Sequence, residues 1–435
     1  MLEERDHHLL LTDEMQTALL VGRSHGRIEL LHGRGRPGAV GALEAAATFS
    51  LDVPYLRCAG LLRDESGTPF AALHELDVPP RGWAPPAGTS WLSLGEADPE
   101  SLGPPEWARA IARWLGEQQG APIPANRAPW ARPGWFASAT SWMTERAADA
   151  GLEPVGRVEL EQQWPLSSVL RVDTAGGRVF FKGVFQLFHH EPGLSVALAE
   201  RHPELLPEIV AVDAVRGWML MRELSGELLG DTVVERWSEG LRLLGRVQRA
   251  WAGHEPDLIA LGAHDRSLGA LAHELPDVPD AVELAAEERA RVERAVPELE
   301  RMCEDVAAGP LPQTLVHGDF HPWNVMLDGT GLRIFDWSDA CVAHPLFDLP
   351  TFLRRTDDQA ARRAMLDSYG EDWADVASVA ELRALVGIAE PLAHVHHAVS
   401  YLRILDALEP EDRWYFAAEP RRWILGATDL VEAMR

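Results

Sequence analysis

Residues 317–337 read HGDFHPWNVMLDGTGLRIFDW, from His317 to Trp337. Asp319 and Asn324 stand five positions apart on an expected loop, and Asp336 follows a short apolar strand expected over Leu332 to Phe335. Phosphoryl transfer from ATP needs these groups. A carboxylate must orient the attacking hydroxyl and accept its proton, while a neutral amide and a second carboxylate hold Mg²⁺ against the phosphates. The stretch therefore nominates Asp319 as catalytic base and Asn324 and Asp336 as metal ligands. The plain alternative for Asp319, a loop aspartate that caps a helix, leaves the other two groups unexplained.

A second observation is independent of the first. The chain has 40 Lys plus Arg, and a single one is lysine, Lys182, at the end of the apolar run Val179-Phe180-Phe181-Lys182. A compact ammonium that fits between two phosphates is not interchangeable with a planar guanidinium. The D-x-x-x-x-N spacing with a following Asp also occurs in protein kinases, but here H-G-D replaces H-R-D and D-W replaces D-F-G. In that form the stretch resembles the aminoglycoside phosphotransferase and choline kinase family of small-molecule kinases.

The resemblance covers roughly Val155 to the C-terminus. It implies an α+β fold of the bilobal protein-kinase type, with a small antiparallel-sheet N-lobe over 151–226 and a mostly helical C-lobe over 227–435. ATP and Mg²⁺ are the implied cofactors and a small molecule the implied acceptor. Lys182 would grip the α- and β-phosphates, with Glu191 as its carboxylate partner and Glu200 as the alternative. Adenine would stack near Val169 and Phe180 and bond the backbone of Met221, Arg222 and Glu223. The turn Trp164-Pro165-Leu166-Ser167-Ser168 lacks the glycines of protein kinases, so Ser167 and Ser168 are the expected phosphate contacts there. His317 and Asp348 are expected to brace the loop. His321 and Trp323 would touch the acceptor or support the loop. The acceptor site would come from helices after Asp231 and at the C-terminus.

Composition limits the alternatives. At 435 residues, 46% hydrophobic and 25% charged, the chain can form two or three globular domains. A net charge of −27 argues against a nucleic-acid partner, which needs a basic face. It permits a cationic acceptor without requiring one. Cys58, Cys303 and Cys341 have neither disulfide nor zinc spacing. The charged stretch MLEERDHHLLLTDE lacks the apolar run expected of a signal peptide, and no apolar run approaches the ~18 residues of a membrane span. A cytoplasmic location is expected; the oligomeric state is not legible.

The first 120 residues have their own pattern. Strands are expected at Leu9–Leu11, Thr17–Val21, Ile28–Leu31, Leu56–Leu62, Phe70–Leu76 and near Trp91–Leu94, with turns at Ser24-His25-Gly26 and Asp64-Glu65-Ser66-Gly67. Helices are expected at Val40–Thr48 and Glu106–Gln118, the second placing Trp107, Ile111 and Trp114 on one face. This order resembles a Nudix domain, an α/β fold, with Gly33 to Gly38 where the Nudix box would begin. That family binds Mg²⁺ through a glutamate cluster, whereas the helix here has Glu44 as its only acid. One carboxylate does not hold a divalent cation, so 1–120 is expected to be a non-catalytic domain. Residues 121–150 are expected as a proline-rich linker and a connecting helix, around which Trp130, Trp135, Trp142 and Trp164 pack or line a cleft.

Two features of the C-terminal half complete the reading. Pro297 is expected to split the charged stretch Ala281–Ala308 into two helices. His394, His396, His397 and Tyr401 fall on one helix, as a packed cluster or as an incomplete metal site. The function expected is ATP- and Mg²⁺-dependent phosphorylation of a hydroxyl on an aminoglycoside or other antibiotic, an amino alcohol or a sugar. The alternatives are a catalytically silent nucleotide-binding regulator and a bifunctional kinase with Nudix hydrolase activity.

Overall fold

The computed structural model describes residues 4–24, 27–65, 67–79 and 81–434. His25 and Gly26 of one expected turn, and Ser66 of the other, lie outside the described residues. Packing divides the chain into two compact units, Met1–Phe185 with Leu408–Arg413, and Gln186–Ala407 with Trp414–Arg435. Among the described residues no helix is long and apolar enough to cross a membrane.

The first unit opens with β1 (Arg5–Leu10), β2 (Ala18–Ser24), β3 (Arg27–Gly35), α1 (Ala39–Ala47), β4 (Tyr55–Arg63), β5 (Pro69–Leu76) and β6 (Thr89–Ser93). The six strands form one sheet in the order β4-β5-β1-β3-β2-β6, antiparallel except that β1 runs parallel to β5. Side chains alternate across it. Leu9, Leu11, Leu20 and Leu31 meet Ala39, Ala42 and Ala46 of α1 on one face. Leu10, Leu19, Val21 and Leu30 meet Trp107, Ile111 and Trp114 on the other, the last two on α2 (Ala108–Gln118). β3, expected over Ile28–Leu31, runs on through Gly33 and Gly35 beneath α1. A Cβ on Gly35 would stand 2.5 Å from the carbonyl oxygen of Gly41, so only glycine lets the helix lie this close.

The stretch expected as a linker is tied down by buried charge. Arg127 forks onto Glu117 at 2.7 and 2.8 Å and onto Glu409 at 3.1 Å. Arg57 reaches Glu75 at 2.7 Å, and the Trp114 indole donates to the same carboxylate at 2.9 Å. All four charged partners of this cluster on the N-terminal side, and Glu409, are buried. Removing one partner of such a cluster typically costs about 3–5 kcal/mol, because the other charge stays buried. The segment 408–413 is therefore integral to this unit.

Next come α3 (Trp135–Asp149), β7 (Pro154–Trp164), β8 (Ser167–Thr174) and β9 (Gly177–Val184), a helix followed by an antiparallel meander. Trp135 and Trp142 of α3 set their rings edge-on to Phe181 of β9, at 5.9 and 5.8 Å. Trp130 packs edge-on to Trp135 and donates its indole N–H to the Trp164 carbonyl at 3.0 Å. These tryptophans are packing residues.

The second unit contains α4 (Glu191–Arg201), the hairpin β10 (Ile209–Asp213) and β11 (Trp218–Arg222), β12 (Gly226–Leu228), α5 (Trp237–Trp251), α6 (Glu255–Ala260), β13 (His264–Asp265), α7 (Leu268–Glu274), α8 (Val278–Ala281) and α9 (Ala286–Ala307). It continues with β14 (Thr314–Val316), β15 (Val325–Asp328), β16 (Gly331–Ile334), β17 (Cys341–Ala343), α10 (Leu349–Leu353), α11 (Gln359–Gly370), α12 (Val379–Ala407) and α13 (Glu419–Ala433). Pro297 does not split α9, contrary to the expectation. It costs one backbone hydrogen bond, but Val292, Ala295, Leu299, Met302, Cys303 and Val306 are buried on both sides of it, and that stripe holds one continuous helix.

Candidate active site

A hairpin sets the site's geometry. β15 and β16 pair in antiparallel register, with Val325 opposite Ile334, so the residues just outside the two strands are brought together. Asn324 precedes the first and Asp336 follows the second by two positions, and the Phe335 N–H donates to the Asn324 carbonyl at 3.1 Å. Asp328 fixes the turn by accepting from Thr330 and Gly331 and pairing with Arg333. The hairpin thus joins two residues that stand twelve positions apart in sequence. The strand expected at Leu332 to Phe335 ends one residue earlier, which frees Phe335 for this contact.

Asn324 in turn donates its side-chain N–H to the Asp319 carbonyl at 3.0 Å. That orientation directs its nitrogen to the loop backbone, so its oxygen is the end that could meet a cation. Asp336 adopts a left-handed backbone, φ 65°, a conformation that aspartate tolerates better than most residues. The Ser338 hydroxyl lies 3.1 Å from its Oδ1 and 2.7 Å from Oε2 of Glu191, the buried first residue of α4. Ser338 therefore links Glu191 to Asp336, a connection with no local signal in the sequence. An amide oxygen beside a carboxylate is a hard-oxygen donor set that fits Mg²⁺.

The loop is braced from below. Asp348, fully buried, accepts from the backbone N–H of His317 and Gly318, each at 2.9 Å, and from the Gln248 side chain at 2.9 Å. Burial pushes its pKa up to about 7, against the three hydrogen bonds that favour the charged form. Gln248, on α5, is itself fixed by the Tyr369 hydroxyl at 2.7 Å. The His317 ring sits 3.1 Å from the Phe335 carbonyl and packs on Trp337, so this histidine braces the loop.

Asp319 carries a half-exposed carboxylate, with the His321 ring 3.7 Å away. Its pKa is raised, first because the surrounding protein withholds water and next because Asp336 is close; His321, Arg355 and Arg354 oppose the shift. Trp323 is anchored by an indole N–H bond to Asp231 at 3.0 Å and packs edge-on to Trp237.

In the first unit, the meander places Val169 directly opposite Lys182, and Phe180 two residues before it shares that face of the sheet. Lys182 is buried. Both serine hydroxyls of the first turn have protein partners. The Ser168 hydroxyl is fully buried and donates to Gln163 at 3.0 Å, while the Ser167 hydroxyl accepts from the Trp164 indole at 2.7 Å. Both bonds tighten the β7–β8 turn; the Ser168 hydroxyl spends its proton on Gln163, while Ser167, as an acceptor, keeps its own O–H. Met221 and Arg222 end β11, where Arg222 pairs with Glu208 at 3.0 Å, and Glu223 follows. Glu200 is exposed at the far end of α4.

The histidines of α12 are packing residues. His397 stacks on Trp423 at 4.3 Å and bonds Thr351 at 2.8 Å, and His394 bonds the Glu390 carbonyl at 2.9 Å. In the N-terminal domain, the carboxylate of Glu44 is taken by Arg36, through its side chain at 2.9 Å and its backbone N–H at 3.2 Å.

Residues 167–382 match the family model described as the phosphotransferase enzyme family. No curated protein matches the chain. Similar solved structures include a macrolide 2'-phosphotransferase type I, 17% identical over 65% of this chain and 96% of that one, TM-score 0.47. The choline kinase LicA from Streptococcus pneumoniae is 15% identical over 67% and 98%, TM-score 0.49. A putative fructosamine-3-kinase from Thermobifida fusca YX-ER1 is 18% identical over 68% and 99%, TM-score 0.46.

Proposed function

We propose, for a chain whose residues 167–382 belong to the phosphotransferase enzyme family, that it transfers the γ-phosphoryl group of ATP to a hydroxyl of a small molecule, with Mg²⁺. The observation that carries this reading is the hairpin that joins Asn324 to Asp336 while Asn324 also bonds Asp319. Base and metal ligands are thereby fixed relative to one another before any substrate arrives, which is the positioning phosphoryl transfer depends on.

Each residue then has a distinct task. Asp319 orients the acceptor hydroxyl and accepts its proton as the oxygen attacks in line. Asn324, through its amide oxygen, and Asp336 would hold Mg²⁺, which when bound neutralises charge on the phosphate oxygens. Lys182 is the proposed ligand of the α- and β-phosphates, and Glu191 its proposed partner. Val169 and the backbone of Met221, Arg222 and Glu223 are the proposed adenine contacts. The Ser168 hydroxyl is engaged with Gln163, so the Ser167 hydroxyl and the backbone N–H groups of both serines are the proposed phosphate contacts of this turn. Residues 1–120 are proposed as a non-hydrolytic, Nudix-like scaffold, since Glu44 is already neutralised by Arg36.

The test is transfer of label from γ-labelled ATP, with Mg²⁺, to members of a panel of aminoglycosides, macrolides, amino alcohols, sugars and sugar acids. A labelled organic product is expected with at least one acceptor. ATP binding without transfer to any of them would favour a nucleotide-binding regulator.

A further inference from the structure

Two exposed arginines, Arg354 and Arg355, act electrostatically on the proposed base. Phe352, on α10, stacks on Phe320 at 5.2 Å and 16°, with both rings fully buried. Phe320 immediately follows Asp319, so this stack fixes the end of α10 relative to the base, and Arg354 and Arg355 leave the helix there. Both charges act on Asp319. The Arg355 guanidinium lies 5.8 Å from the ring of Trp323, which is 37% exposed. Arg354 lies 4.3 Å over Trp423, sharing that ring with Arg422 at 4.6 Å.

Arg422 is paired with Glu419 at 2.9 Å. Arg354 and Arg355 form no ion pair or side-chain hydrogen bond among the described residues, in a chain with 67 Asp plus Glu against 40 Lys plus Arg. Arg354 is exposed at the surface, yet partial shielding from water and the neighbouring charges of Arg422 and Arg355 lower its pKa. Two unpaired cations held together in an acidic protein repel each other and any cationic ligand, and an oxyanion relieves that repulsion.

We infer that the acceptor bears an anionic group, carboxylate or phosphate ester, near the hydroxyl it presents to Asp319, and that Arg354 and Arg355 bind this group with Trp323 against the acceptor's body. This rests on the phosphotransferase reading and narrows its substrate class, setting amino alcohols and polyamine-like antibiotics aside. Trp323 is held for that role by Asp231 and by Gly230, where a Cβ would stand 2.5 Å from the indole.

The test compares matched acceptors, a sugar, its aldonic acid, its 6-phosphate and its 2-amino form, by kcat/KM for label transfer from ATP with the full chain. The anionic members should exceed the amino form by at least ~10-fold, as charge-assisted bonds from two guanidiniums predict. In the double variant Arg354→Gln/Arg355→Gln the ratio of anionic to neutral acceptor should fall at least ~10-fold, with KM for ATP unmoved. The aldonic acid and the 6-phosphate distinguish a carboxylate from a phosphate ester. Preference for the amino form, or a variant whose loss lies only in KM for ATP, would overturn the inference and leave the phosphotransferase reading intact. No product from any member with the wild-type chain would count against the phosphotransferase reading itself, and the inference would fall with it.

Discussion

Asn324 donates its side-chain amide to the backbone carbonyl of Asp319 at 3.0 Å, so the proposed metal ligand and the proposed base are held by one hydrogen bond. In the proposed site the same amide serves two ends, its nitrogen bonded to the loop and its oxygen the proposed cation ligand. Asn324→Ala removes both. It should raise the Mg²⁺ concentration needed for half-maximal turnover by at least ~10-fold, as loss of one oxygen ligand implies. Titration of activity against Mg²⁺ measures it, and an unshifted curve would remove Asn324 from the metal site.

Gly318 has φ +86°, and a Cβ there would stand 2.3 Å from the carbonyl oxygen of Asp339. Gly318→Ala should therefore cost more than the ~1–3 kcal/mol of a left-handed residue alone, because backbone must also move. It should also lower turnover by displacing Asp319. Denaturant unfolding and initial rates measure the two effects. A variant of wild-type stability and rate would mean the loop yields freely.

Lys182→Arg keeps the charge and changes the shape. Lys182 is buried opposite Val169, where a planar fork has less room than a linear ammonium. The variant should lose at least ~10-fold in kcat/KM for ATP. Wild-type nucleotide kinetics would make the chain's single lysine an accident of composition.

The buried cluster in the first unit predicts a pH effect. Burial, then Glu409, push the Asp412 carboxyl up to about 7, against Arg57 and Arg127. The folded pKa lies above the unfolded value of about 3.9, so the folded state binds the extra proton. This contribution to stability is fully present below the unfolded pKa and is lost as pH rises through the folded one. Asp412→Asn should therefore gain on the wild type between pH 5 and pH 8. Thermal unfolding at both values measures the gap, and a gap that does not widen with pH would contradict the assignment.

The proposed chemistry was legible where the signal is local. Asp319, Asn324 and Asp336 lie within 18 positions, and the short apolar strand expected at Leu332 to Phe335 is one arm of the hairpin that joins the last two. The supports were not legible because their partners are remote: Gln248 meets Asp348 across 100 positions, and Arg127 meets Glu409 across 282. Gly33 and Gly35 look like turn residues until α1 is laid on them, and Pro297 looks like a break until the buried stripe through it is seen. Both were decided by tertiary packing, which overrides local preference. The partners of the Ser167 and Ser168 hydroxyls, Trp164 and Gln163, stand only three and five positions away, across the β7–β8 turn.

The most direct measurement of the central claim is transfer of the γ-phosphoryl label from ATP to an acceptor alcohol by the wild-type chain and by Asp319→Asn, with ATP affinity read in parallel. The account predicts labelled product from the wild type and a loss of at least ~10²-fold in turnover in the variant, with nucleotide binding unchanged. Full transfer by Asp319→Asn would contradict it.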